Sequence, residues 1–102
     1  MKPARFDYLR ADTLAEAHAP LAGHGNDARV LAGGQTLMPM LSMRLARPKV
    51  VVDIMRLLEL HKIAADKNSI RVGAGIRQTE MLDWPELQAS QPLLAAALPW
   101  VG

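Results

Sequence analysis

Two adjacent glycines, Gly33 and Gly34, stand between an apolar run and an apolar segment in the stretch VLAGGQTLMPML, Val30 to Leu41. A strand-to-helix turn ordinarily needs one residue without a Cβ. A second glycine adds backbone entropy to be lost on folding and contributes no packing. The pair makes sense where the chain turns sharply, or where something must lie against the backbone. The segments around it restrict the fold further. RFDYLRA offers Phe6, Tyr8 and Leu9 as strand residues, and Thr13 with Glu16 three positions on is a capping-box pattern. Leu14, Ala17, His18 and Leu21 follow at helical spacing, with Pro20 expected to shorten or kink that helix. GHGND, Gly23 to Asp27, reads as the closing turn.

ARVLA is a second short strand. After the glycines, Leu37, Met40, Leu41 and Leu45 recur at helical spacing, and Pro39 falls in the first turn, where a missing N–H is tolerated. RPKVVVDI supplies a third strand, Lys49 to Ile54. Strand–helix–strand–helix–strand predicts a small parallel or mixed sheet with right-handed crossovers. The second half differs. Two short strands flank DKNS and predict a hairpin ending in IRVGAGI. TEMLDWPELQ is helical up to Pro85, and QPLLAAALPWV is an apolar helix bounded by Pro92 and Pro99. The fold class expected is α+β: a first subdomain over residues 1–56, then the start of a second α+β subdomain over residues 57–102.

With 102 residues, half of them hydrophobic, the chain can bury one modest core. Only Phe6, Tyr8, Trp84 and Trp100 are aromatic, so that core is aliphatic. Cysteine is absent, which removes disulfides, zinc–thiolate sites and iron–sulfur ligation by this chain. The net charge is +2, and the basic residues form no block, so nucleic acid is not an expected partner. No apolar run reaches membrane-spanning length, and MKPARFDYLRAD lacks a secretory apolar core. A cytoplasmic chain is expected.

A strand entering glycines and then a helix is a geometry that can cradle phosphate, because backbone N–H groups face the anion and the backbone approaches closely. Thr36 adds a hydroxyl. The fingerprints G-x-G-x-x-G and G-x-x-x-x-G-K-[ST] are both absent, and GAG at Gly73 to Gly75 lacks a third glycine at the right spacing. From local pattern, a tight turn and a phosphate loop both remain open.

The longer stretch VLAGGQTLMPMLSMRLARPKVVVDI resembles the flavin-binding subunits of the molybdenum hydroxylases, such as the medium subunit of aerobic carbon monoxide dehydrogenase and the flavin domain of xanthine dehydrogenase. Ala32, Gly33, Gly34, Gln35, Thr36, Leu37 and Pro39 match the family's AGG[QHN][ST]L-x-P loop in order. LLELHKIAADKNSIRVGAGIRQTEM resembles its L-x-x-I…I-x-I-G-A stretch, and LPWVG the segment ahead of its second glycine loop. The resemblance implies a PCMH-type FAD-binding fold with FAD pyrophosphate on the loop Val30, Leu31, Ala32, Gly33, Gly34, Gln35, Thr36 and Leu37. It also places Ile54 and the Gly73–Ala74 pair near the flavin. It implies electron relay between iron–sulfur clusters of a small partner subunit and an external acceptor, beside a large molybdenum-cofactor subunit. In that family the subunit continues through a T-[IV]-G-G loop and a further domain. The expectation is therefore an N-terminal portion with weak or absent FAD binding alone, and self-association along Leu93, Leu94 and Leu98.

Other residues read more plainly. His18, His24 and His61 lack metal-type spacing; His18 is expected half-buried and the other two exposed. Met38, Met40 and Met43 are expected core filling. Arg44, Arg47 and Lys49 suit a solvated helix end. Asp53 and Glu59 are not placed together by spacing. Trp84 and Trp100 are expected to anchor helices. No catalytic residue and no metal site is expected. The competing classes are a non-catalytic α+β interaction module and a small phosphate- or nucleotide-binding domain unrelated to flavin.

Overall fold

The computed structural model describes residues 2–101. Gly102, the last residue of the LPWVG segment, lies outside the described residues. The first half is β1 (Asp7–Arg10), α1 (Leu14–His24), β2 (Ala28–Leu31), α2 (Leu37–Ser42) and β3 (Val50–Asp53). The three strands form a parallel sheet in the order β1-β3-β2. β3 is central because it is the most apolar and β-branched: a strand covered on both faces favours consecutive valines. Val51 is 1% exposed and Val52 fully buried. Val50 and Val52 share a cluster with Ala17 of α1, Ala28 of β2, Ala11, Ile54 and Leu57, against which Leu14 and Leu21 pack. Val51 points to the opposite face by strand alternation.

α1 starts as its sequence predicts. The Thr13 hydroxyl accepts from the Glu16 N–H at 3.1 Å, and the Glu16 carboxylate accepts from the Asp12 N–H at 2.8 Å. The reciprocal bond thus reaches one residue before the cap. The helix runs four residues past Pro20, further than expected. Proline removes one bond, the one the exposed Glu16 carbonyl would accept, and water can replace it. Leu14, Ala17 and Leu21 meanwhile hold the face against the sheet.

α2 ends in a Schellman arrangement. The Arg44 N–H donates to the Leu41 carbonyl at 3.1 Å, and the Leu45 N–H to the Met40 carbonyl at 2.9 Å. Arg44 occupies the left-handed position there, with φ 57°.

The second half is the antiparallel hairpin β4 (Ile63–Ala65) and β5 (Ile70–Val72), then α3 (Gln78–Leu82), α4 (Leu87–Ser90) and α5 (Pro92–Ala97). The Asp66 carboxylate closes the hairpin turn by accepting from the Asn68 and Ser69 N–H groups, both at 2.8 Å. Those bonds hold its pKa below the ordinary carboxylate value. The two halves are continuous around Leu57, which is 2% exposed within the first half's core, and Leu60 packs on the same cluster. No helix among the described residues is long and apolar enough to cross a membrane.

Several side chains depart from their expected places. Met38 and Met43 are exposed and only Met40 is half-buried, because α2 is too short to cover the sheet with all three. His18 is exposed and His61 half-buried, the reverse of expectation. Trp84 is half-buried, but Trp100 is 88% exposed and anchors nothing among the described residues.

Candidate cofactor site

The carboxyl ends of β2 and β3 deliver two chain segments to the same place. β2 runs out into Ala32–Gly33, and β3 runs out into Ile54–Met55. Asp53, the last residue of β3, sets the second exit. Its carboxylate accepts from the Met55 N–H at 2.9 Å and from the Tyr8 hydroxyl of the neighbouring strand. The bond to Asp53 pushes the Tyr8 pKa up. A third segment, Ala74 to Thr79, comes across from the end of the hairpin. Together they line a cleft of about 550 Å³ whose walls are Ala32, Gly33 and Gln35 on one side and Ala74 to Thr79 on the other, with Met55 between them.

The two loop glycines have different physical reasons. Gly34 has φ +82°, and a Cβ there would lie 2.9 Å from Met38 Cγ and 3.3 Å from Leu31 Cδ1. The turn into α2 therefore demands glycine whatever the site does. Gly33 carries no such demand: a Cβ on it would meet nothing within 4 Å. It lines the cleft, so its missing side chain leaves ligand space beside the backbone. The N–H groups of Gly33, Gly34, Gln35 and Thr36 have no acceptor among the described residues. The Thr36 hydroxyl makes no cap bond.

Of the eight residues expected on the loop, Ala32, Gly33 and Gln35 line the cleft; Val30, Leu31, Gly34, Thr36 and Leu37 stand behind or beside it. Ile54 is buried in the core cluster, and its neighbour Met55 takes the wall position. Ala74 lines the cleft and Gly73 does not. A Cβ on Gly73 would lie 2.1 Å from the Leu60 carbonyl oxygen, so that glycine serves hairpin packing. Sequence reasoning missed Met55, Gly75, Ile76, Arg77, Gln78 and Thr79. Their only local signal is the small-residue run Gly73–Gly75 before a helix start, which says nothing about what it faces.

The expected basic end of α2 is accounted for internally. Lys49 Nζ lies 3.7 Å from Asp27, the Arg44 Nε–H donates to the Lys2 carbonyl, and the Arg47 Nε–H donates to the Arg44 carbonyl. No group of three or more His, Cys, Asp or Glu side chains that could hold a metal occurs among the described residues.

Residues 4–102 match the family described as the FAD binding domain in molybdopterin dehydrogenase. The chain belongs to this family. It is 39% identical over 98 residues to caffeine dehydrogenase subunit beta of Pseudomonas sp. (strain CBB1), covering 96% of this chain and 33% of that protein. It is 39% identical over 97 residues to the carbon monoxide dehydrogenase medium chain of Hydrogenophaga pseudoflava, covering 95% of this chain and 34% of that one. The solved carbon monoxide dehydrogenase from the same organism, in a form lacking the Mo-pyranopterin moiety, superposes with a TM-score of 0.89 at 37% identity, over 100% of this chain and 36% of that chain. This chain thus spans about a third of the length of the relatives it matches. As a member of this FAD-binding family it is oxidoreductase-related, and the α+β reading of the sequence holds.

The loop side of the cleft offers what a pyrophosphate requires. A pyrophosphate needs donors and close approach to the backbone. The loop offers free N–H groups and, at Gly33, the space a Cβ would otherwise fill.

Proposed function

We propose that this chain forms one side of an FAD site, with the loop Val30 to Leu37 against the pyrophosphate and Ala74 to Thr79 facing it. The observation that carries this reading is Gly33: the fold does not need a glycine there, whereas a ligand lying on the backbone does. Gln35 and Thr36 add an amide and a hydroxyl beside the free N–H groups. Bound there, FAD would supply one- and two-electron flavin chemistry. The chain's own residues bind and orient it, and none lining the cleft is placed as a proton-transfer catalyst.

In the complete protein, the role is electron relay between iron–sulfur clusters of a small subunit and an external acceptor, beside a large molybdenum-cofactor subunit. The name "medium chain" of the Hydrogenophaga relative supports such an assembly. Two relatives of equal identity carry the names of unlike substrates, caffeine and carbon monoxide. That supports substrate choice lying outside this region. A cytoplasmic setting fits the absence of cysteine. The chain on its own holds FAD weakly and self-associates, with Leu93, 83% exposed, among the uncovered apolar residues.

Titrating the chain into FAD and following flavin fluorescence tests the reading. Saturable binding, displaced by ADP and not by FMN, is the expected result. No response up to millimolar chain would favour the alternative, an α+β module that keeps the fold without the cofactor.

A further inference from the structure

Among the described residues that line the cleft, Arg77 is the one charged residue. No carboxylate lines the cleft among the described residues. Arg77, like Arg5, Arg10 and Arg71, forms no ion pair and no side-chain hydrogen bond among the described residues, and of these four it alone lines the cleft. The nearest acid in sequence, Glu80, is turned to the backbone: its carboxylate accepts from the Arg77 N–H at 3.3 Å. Arginine has no acceptor to return that bond, so the backbone of Arg77 is held while its guanidinium stays free. Asp53, beside Met55, is taken up by the Tyr8 hydroxyl and the Met55 N–H. Arg77 lines this cleft and also a neighbouring one with Val72, Met81 and Leu94, and across the cleft lie Gly33 and Gln35, whose backbone N–H groups have no acceptor among the described residues. The complement of the cleft is an anion that receives from both walls at once.

We propose that Arg77 is a specificity residue of this cleft, which clamps the anionic diphosphate of the bound ligand from the side opposite the Gly33 loop. The proposal rests on the FAD reading and adds to it a second contact from the other half of the chain. Guanidinium suits this role because its planar fork donates two parallel bonds to phosphate oxygens. Arg77 thereby selects ligands by their charge: FAD and ADP over riboflavin, which has the ring and no phosphate.

The test is FAD, ADP and riboflavin binding to the chain and to Arg77→Gln, followed by amide chemical shifts so that weak binding is still measured. Arg77→Gln should weaken FAD and ADP about tenfold at low salt, leave riboflavin within twofold, and lose most of that difference in about 0.5 M salt through screening. Arg77→Lys should recover only part of the affinity, since a point charge cannot fork. Arg71→Gln, on the hairpin and outside the cleft, serves as the control for net charge and should change nothing. Equal FAD affinity for the unsubstituted chain and Arg77→Gln, with loop amides still shifting, overturns the clamp and leaves the FAD reading standing. An equal loss of riboflavin affinity also overturns it, because Arg77 would then contact the ring. No ligand-induced shift at the loop in the unsubstituted chain overturns the FAD reading and the clamp with it.

Discussion

The His61 imidazole sits between Met55 and Gly75: its Nε2 lies 2.8 Å from the Met55 carbonyl oxygen, and a Cβ on Gly75 would come within 2.9 Å of the same nitrogen. Met55 is the floor of the cleft and Gly75 part of its wall. One half-buried ring therefore fixes the spacing between the strand exit and the hairpin exit. The Gly75 N–H donates to the Leu60 carbonyl at 2.9 Å, which locks the same junction through the backbone.

Gly75→Ala forces the ring away from Met55 and should cost about 1–3 kcal/mol, as overpacked sites do. In a His61→Ala background the methyl has room, so the same substitution should cost much less. Chemical denaturation of the two single variants and the double variant gives the coupling. Additive costs would show that the ring and the glycine do not press on each other.

The loop glycines should separate cleanly. Gly34→Ala meets a positive φ and the Met38 side chain, and should lose about 1–2 kcal/mol of stability. Gly33→Ala should leave stability within about 0.5 kcal/mol, as an open position does, while weakening FAD. Thermal melts with and without FAD check both. A Gly33 variant with full affinity would mean that nothing lies against that backbone.

Arg44 pays for its left-handed φ at the end of α2, where glycine is the usual occupant. Arg44→Gly should raise stability by about 0.5–1 kcal/mol, less a small loss from the exposed bond to the Lys2 carbonyl. The melting temperature reports it. A lower one would place the value of Arg44 in its side chain.

Two groups give stability a pH dependence of opposite sign. Asp66 has a depressed pKa, so its contribution is present above the unfolded carboxylate value and lost as pH falls through the folded one. Tyr8 has a raised pKa, so its contribution is present below the unfolded phenol value and lost as pH rises through the folded one. Side-chain NMR titration should find the Asp66 pKa below and the Tyr8 pKa above the ordinary value of each group. Asp66→Asn should flatten the acid limb, and Tyr8→Phe the alkaline one.

Much of the fold was legible because its signals are local. Thr13 with Glu16, Pro92 at the start of α5, and the DKNS turn each act within four residues. The valine run of β3 announces a strand covered on both faces. The cleft was half legible. Its first wall follows a strand and two glycines, but which glycine serves the turn depends on where Met38 and Leu31 fall in space. Its second wall was not legible, because Arg77 and Thr79 reach the loop only through the junction at Leu57, Leu60 and His61. His61 was misassigned for the same reason: it is covered by Gly75 and Met55, neither of which helical or strand periodicity can report.

The most direct measurement is a residue-resolved map of FAD binding, from amide chemical shifts of the labelled chain as FAD is added. The account predicts that Gly33, Gln35, Met55, Ala74 and Arg77 to Thr79 shift together with one dissociation constant, while the exposed hairpin tip at Lys67 and Asn68 stays still. Shifts that leave out either wall, or that gather instead around Leu93 and Trp100, would contradict it.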